Sequence, residues 1–382
     1  MSNPTCAEVQ PAEAGLADVV ACDSEICFID GEKGRLVYRG YDAIELAEKS
    51  HFEEVAYLLW FGALPRATEY KAFLAGFTGS MTLPGETVAL LRSFPSTAAP
   101  MEALRTAVSS LGHWDPDSGN TALDACLRKA QRITLRIPLL VAAYQRLHER
   151  NEPIKPIVGH GIAFNFLYTL QGKEPEPLIE RALDAALVLH ADHELNASTF
   201  AARVTAATMS DIYSSVTAAI GALKGPLHGG ANMEVMQLLE EIGAPERAEG
   251  VVKEKLRQKI KIPGFGHRVY RCEDPRAEML REYSRRVCAL VGNSKYFEIT
   301  EAVRRVALEN TKVFPNVDLY TASLYNAMGL PQELFTPIFA IARVVGWTSH
   351  ILEQWSSNRL IRPRAEYVGH HDLHYIDIRE RA

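Results

Sequence analysis

The sequence predicts an all-α protein with one small β-hairpin near its N-terminus, and three observations carry that prediction. Apolar residues recur three and four apart through most of the chain after residue 41, as in Ile179, Ala182, Leu183, Ala186 and Leu187. Only residues 19–41 contain convincing strand sequence, in short pieces around Asp30, Gly31 and Gly34. No strand, glycine loop and helix follow one another as a unit, so neither a dinucleotide fingerprint nor a P-loop is present.

Residues 1–15 read as a disordered tail, and 19–41 as the hairpin. Two short helices follow at 41–50 and 52–61, with Leu58, Leu59 and Phe61 on the buried side. Pro65, Pro84 and the 95–100 stretch separate the next elements. Residues 101–111 are helical, and DPDSGN (115–120) is a loop. The helical pattern over 122–150 presents Ile133, Ile137, Leu140, Val141 and Tyr144; Pro138 inside it should kink or split the helix. Residues 157–170 are apolar and helical, and the 178–189 helix runs into HADHELN (190–196). Residues 196–223 are rich in alanine, serine and threonine. Side chains that small permit close helix packing, so a central buried helix pair suited to a subunit contact is expected there. A glycine turn at 225–230 precedes a helix at 231–242. Charge then rises over 244–312, the mostly exposed core of a second domain. A helix at 317–328 is closed by Gly329 and Pro331, and 332–355 is a long amphipathic helix.

The 382 residues leave room for two domains and a large core. With 47% apolar and 23% charged residues the composition is that of a soluble globular protein. A net charge of −6 argues against a general binder of nucleic acid or anionic membranes. An anionic substrate therefore needs a local cluster of cations. The cysteines Cys6, Cys22, Cys27, Cys126, Cys272 and Cys288 form no C-x-x-C pair and no zinc spacing, and fit a reducing cytoplasm. The N-terminus lacks the basic and apolar regions of a signal peptide. No apolar run reaches membrane-spanning length; the longest, 336–347, is interrupted by Arg343.

Four stretches carry chemical signal. IPGFGHRVYRCEDPR (262–276) holds His267 in a glycine-rich turn, with Arg268, Arg271 and Arg276 beside it. Asp274 and Pro275 suit the cap and first position of a helix. An arginine in that first turn opposes the helix dipole, which is tolerable if it holds an anion there. KGPLHGGAN (224–232) places His228 before a helix. FPNVDLY (314–320) offers Asn316 as a cap and Asp318 in a first turn. HADHELN puts His190 and His193 three apart, able to share a helix face. A metal site would want a third ligand, and the order is not H-E-x-x-H. Each stretch also has a plain structural reading: solvated arginines, a capping turn, a dipole-stabilising aspartate, a core histidine. Histidines, a carboxylate and arginines together suit carbon-acid chemistry, in which a base removes a proton beside a carbonyl and donors stabilise the enolate. Arginine forks match the carboxylates of a diacid.

KGPLHGGAN, PGFGHRVYRCEDPR and PNVDLY, in this order and spacing, resemble the citrate synthase family. ADHELNAS, IDGEKGRLVYRGYD and the C-terminal RVVGWTSHILEQWSSNRLIRPRAEYVG extend the resemblance over roughly residues 16–369. The resemblance implies an all-α dimer. Its large domain would take residues 1–224 and 329–382, its small domain 225–328, with the active site in the cleft between them. Asp318 would take a proton from the methyl of acetyl-CoA. His228 would donate to the resulting enol or enolate, and His267 would polarise the ketone of oxaloacetate. His193, Arg276 and Arg343 would hold oxaloacetate, joined by Arg362 reaching from the other subunit. Arg271 and Lys312 would meet CoA phosphates. No metal and no resident cofactor is implied, since acetyl-CoA is a substrate. The short N-terminus favours a dimer over the NADH-regulated hexamers of the family. The chain also resembles 2-methylcitrate synthases, which use propionyl-CoA; GFGHRVY followed by EDPR leans toward the citrate enzymes. Two other classes stand as alternatives: a metal-dependent hydrolase built on the histidines, and a non-catalytic acyl-CoA-binding protein that keeps the fold.

Overall fold

The computed structural model describes Leu16 and residues 19–381, so the predicted tail at 1–15 lies outside the described residues. Strands β1 (Cys27–Asp30), β2 (Arg35–Tyr38) and β3 (Tyr41–Asp42) form one antiparallel sheet in that order. Ile29 pairs with Leu36 and Phe28 with Val37. The pleat sends Ile29, Leu36 and Tyr38 inward and leaves Phe28 exposed. The expected hairpin is thus present, with a third short strand added.

Sixteen α-helices follow among the described residues. They are α1 (Ala43–Lys49), α2 (Phe52–Phe61), α3 (Ala67–Gly79), α4 (Gly85–Ser93), α5 (Pro100–Leu111), α6 (Leu123–His148), α7 (Ile162–Gln171) and α8 (Pro177–His190), then α9 (Ala197–Ala207), α10 (Ile212–Leu223), α11 (Ala231–Ile242), α12 (Ala248–Arg257), α13 (Pro275–Val291), α14 (Lys295–Asn310), α15 (Val317–Ala327) and α16 (Phe335–Ser356). Their ends follow from local chemistry. Asp42 accepts from the N–H groups of Ile44 and Glu45 to start α1. Gly62 and Gly172, both left-handed, close α2 and α7.

The fold centres on α16, which packs against α2, α6, α8, α9 and α10. The sequence suggested an amphipathic helix here. Instead α16 is buried on every face, with Trp347 and Arg343 among the largest fully buried side chains. The stretch Gln332–Ser356 is in fact long and apolar enough to cross a membrane, contrary to the run-length reading, but 94% of its apolar window is buried inside the protein. Pro138 does not split α6, which runs unbroken from Leu123 to His148. One missing backbone hydrogen bond is outweighed by burial of Ile133, Ile137, Leu139 and Leu140 beside it. Phe61 is 46% exposed rather than buried; at the last position of α2 its ring lies against Tyr57 and Phe73 on the surface. Residues 157–161 are not helical, because Asn165 exchanges two hydrogen bonds with the Ile157 backbone and holds a loop there.

The small-residue segment forms the expected helix pair, α9 against α10. In the charged stretch, α13 packs on α15 and α12 on α14. It is less exposed than its composition suggested, since Val252, Leu280, Val287, Val303 and Val306 form a continuous buried seam. After α16 the chain runs exposed through 357–381, with Leu360, Tyr367, Val368 and Tyr375 uncovered.

Candidate active site

Two loops meet at the start of α15. Gly264 and Gly266 both take positive φ, 82° and 84°, so the GFGH turn depends on glycine. Gly266 N–H donates to Phe314 O, Asn316 N–H to Gly264 O, and Asn316 Nδ2 to Gly266 O, each at 2.9 Å. A Cβ on Gly264 would stand 3.0 Å from Leu319, so no side chain fits there. This ladder fixes His267 on one loop relative to Asp318 on the other. Asn316 caps α15 by accepting Asp318 N–H at 3.0 Å.

Asp274 ties the same region together. Its carboxylate accepts Arg276 N–H at 3.1 Å, Arg276 Nε at 2.9 Å and Arg276 Nη2 at 2.7 Å. It also accepts Val317 N–H at 3.2 Å, so one buried carboxylate caps α13 and braces α15. Arg276 is 3% exposed, and Asp274 keeps it charged.

His190 and His193 do not share a helix face. His190 ends α8, and the chain turns away through Glu194 at φ 50°. His190 is a core residue: its Nδ1 bonds Ala186 O at 2.8 Å and its ring lies edge-on to Phe339. Its carbonyl accepts Arg343 Nε at 2.8 Å. His193 instead faces His267, with ring centroids 5.1 Å apart. His193 Nε2 is buried with no hydrogen-bond partner among the described residues. Burial and the nearby Arg276 hold this ring well below its ordinary pKa, hence neutral. A buried, unpartnered ring nitrogen close enough to Arg276 and Arg343 to feel both charges suits a site for an anionic ligand.

Both remaining histidines are neutral with their protons assigned by backbone donors. Val269 and Tyr270 N–H both donate to His267 Nδ1 at 3.0 Å, so the proton sits on Nε2. Ser198 N–H donates to His228 Nε2 at 3.3 Å, so that ring carries its proton on Nδ1. Burial lowers both to about 4. Asp318 moves the other way: burial raises it to about 6, with Arg276 opposing. The site thus combines a carboxylate base of raised pKa, two neutral imidazole donors and two enclosed guanidiniums. The Arg343 guanidinium stacks 4.8 Å over Phe339, whose ring is 6.4 Å from His228, linking the two halves.

Of the residues the sequence singled out, His193, His228, His267, Arg276, Asp318 and Arg343 belong to this connected set. Arg271, Lys312 and Arg362 are exposed on the surface. Among the described residues no group of three or more histidines, cysteines and carboxylates is placed to hold a metal ion. Sequence reasoning missed Ser198, Phe339, Trp347 and Tyr270. Ser198 and Trp347, joined at 3.1 Å, lie within quoted stretches but carry no mark of their own.

The family model described as citrate synthase, C-terminal domain, matches residues 15–364. A citrate synthase 2 of Bacillus subtilis is 48% identical over 97% of this chain and 100% of its own length. A 2-methylcitrate synthase of Shewanella oneidensis is 40% identical over 93% of this chain and 94% of its own. The solved citrate synthase of Thermoplasma acidophilum, in ternary complex with carboxymethyl coenzyme A and oxaloacetate, superposes with a TM-score of 0.90 at 30% identity, covering 96% of this chain and 98% of that one.

Proposed function

This chain belongs to the citrate synthase family, and from that premise we propose that Asp318, His228 and His267 carry out its reaction. The enzyme is a carbon–carbon bond-forming acyltransferase, condensing acetyl-CoA with oxaloacetate to citrate and CoA. Asp318 removes a proton from the acetyl methyl. His228 Nδ1–H donates to the thioester oxygen as it becomes an enolate. The methylene carbon then attacks the ketone of oxaloacetate, and His267 Nε2–H donates to the oxygen that gains charge. Water finally cleaves the citryl thioester, releasing citrate and CoA. Arg276, Arg343 and His193 hold the oxaloacetate carboxylates. The observation that carries this reading is the pair of proton assignments: each neutral imidazole keeps one N–H free because backbone N–H groups occupy its other nitrogen. Donors already aimed at developing oxyanions supply much of such catalysis.

The same reading divides the chain into a large domain, 1–224 with 329–382, and a small domain, 225–328, whose closure shields the intermediate from water. It pairs two copies through the small-residue helices α9 and α10, with the exposed segment after α16 lying on the partner. Arg362 on that segment then completes the partner's oxaloacetate site. Arg271 and Lys312, both exposed, meet CoA phosphates, and no resident cofactor takes part. The free cysteines are in keeping with a cytoplasmic location.

Oxaloacetate-dependent release of CoA thiol tests the reading, with acetyl-CoA and propionyl-CoA compared by kcat/KM. Preference for acetyl-CoA is expected. Preference for propionyl-CoA would make the enzyme a 2-methylcitrate synthase with the same residues in the same roles. Release from neither would overturn the assignment of catalytic residues.

A further inference from the structure

The backbone and ring of Tyr270 are both engaged in the cleft, and its hydroxyl is not. Its N–H donates to His267 Nδ1 at 3.0 Å. Its ring packs against two histidine rings, with centroids 4.5 Å from His267 and 5.6 Å from His193. The residue is 4% exposed, yet its Oη has no hydrogen-bond partner among the described residues. A buried hydroxyl left unpaired costs stability, so its presence asks for a partner from outside the chain.

The groups around the hydroxyl indicate the chemistry of that partner. Burial raises the phenol above its usual range, with the Arg276 charge opposing, so at neutral pH it keeps its proton and can donate it. Two carboxylates also act on it, and both are engaged elsewhere. Asp274 holds Arg276 and Val317 N–H, and Glu194 Oε1 accepts Ile29 N–H at 2.8 Å. Arg276 is the leading charged neighbour of both Tyr270 and His193. Its Nε and Nη2 point to Asp274, and its Nη1 meets no acceptor among the described residues. A phenol O–H, one end of a guanidinium and the unpartnered Nε2 of His193 therefore border the same place. Donors of this kind beside a cation match a carboxylate.

Building on the oxaloacetate site read above, we propose that Tyr270 is a further oxaloacetate ligand, its Oη–H donating to a carboxylate oxygen of the substrate beside Arg276. In that reading His193 lies on the large domain and Tyr270 on the small one. An open cleft admits the substrate between them, and closure brings the hydroxyl onto it. Tyr270→Phe keeps the ring and the backbone donor to His267 and removes only the hydroxyl. The test is calorimetric titration of oxaloacetate, without acetyl-CoA, into the full-length wild type and this variant, joined by steady-state kinetics and thermal denaturation. Kd and KM for oxaloacetate should rise at least about tenfold, with most of the loss in KM rather than kcat. The ligand-free variant should melt at or above the wild-type Tm, because an unpaired buried hydroxyl has gone. A purely structural role predicts the reverse, and a lowered Tm accompanying the weaker binding would overturn the proposal. Equal Kd in the two proteins would also overturn it and leave the oxaloacetate site standing. A fall in kcat at unchanged KM would overturn it by assigning Tyr270 to the orientation of His267. Absence of binding to the wild type would overturn both the proposal and the site reading beneath it.

Discussion

Ser198 meets His228 Nε2 twice, through its backbone N–H at 3.3 Å and its hydroxyl at 2.8 Å. Because Ser198 sits in the first turn of α9, an otherwise unsatisfied helix N–H becomes the group that sets the tautomer of His228, the histidine proposed above to stabilise the enolate. Ser198→Ala keeps the backbone contact and removes the hydroxyl, which also serves Trp347 Nε1. The loss of roughly 1 kcal/mol of orientation should lower kcat by about fivefold to tenfold. KM for oxaloacetate should hold, and Ser198→Thr should restore kcat. Steady-state kinetics of the two variants decides this; a change confined to KM would assign Ser198 to substrate binding instead.

Asp318 predicts the pH profile. It must be ionised to act as a base, and burial raises it to about 6. Hence kcat/KM should rise as pH increases through about 6 and level off above it. His228 and His267, lowered to about 4, remain neutral across this range and add no second limb. Asp318→Asn should cost roughly 10²- to 10⁴-fold in kcat and abolish the limb. A wild-type profile flat between pH 5 and 7 would place the base elsewhere.

Helix positions were legible in the sequence because capping residues and 3.6-residue spacing are local signals; α2 and α11 fall at the predicted bounds. What the spacing could not show was enclosure. Nothing local distinguishes α16 as a helix buried on all faces from one with a solvated side, because that depends on five other helices packing around it. The site was legible in the same uneven way. His228, His267 and Asp318 stand out through their glycine and proline surroundings. Phe339 and Trp347 look like ordinary helix residues, and only the fold brings them beside His228 and Ser198. No spacing rule shows that the Arg276 guanidinium, read as an anion holder, is already engaged on one edge by the carboxylate of Asp274.

That pair yields a stability prediction. Asp274→Asn leaves the Arg276 guanidinium buried beside a neutral amide, and breaking such a pair costs about 3–5 kcal/mol. The sign with pH follows from the Asp274 carboxyl, which its Arg276 neighbour holds below the usual carboxylate range. Its contribution is present above the unfolded-state pKa and is lost as pH falls through the lower folded-state value. The wild type should therefore lose stability in acid more steeply than Asp274→Asn, and the two denaturation midpoints should converge at low pH. Parallel midpoints at all pH values would show that Asp274 acts through shape alone.

Gly346 tests how closely α16 must approach the segment that carries His193. Its N–H lies 3.1 Å from Ala191 O, and a Cβ built there would overlap both that carbonyl and the Asp192 carboxylate. Neither obstacle is the free end of a flexible chain. Ala191 O is backbone, and Asp192 is held by His350 at 3.3 Å. Gly346→Ala must therefore push residues 191–193 away from α16. Overpacking of this kind costs about 1–3 kcal/mol. The displaced segment includes His193 but neither Asp318 nor His267, so KM for oxaloacetate should rise while the pH limb of kcat/KM stays near 6. Thermal denaturation and a KM measurement on one variant suffice. A lowered Tm with an unchanged KM would show that His193 lies outside the oxaloacetate site.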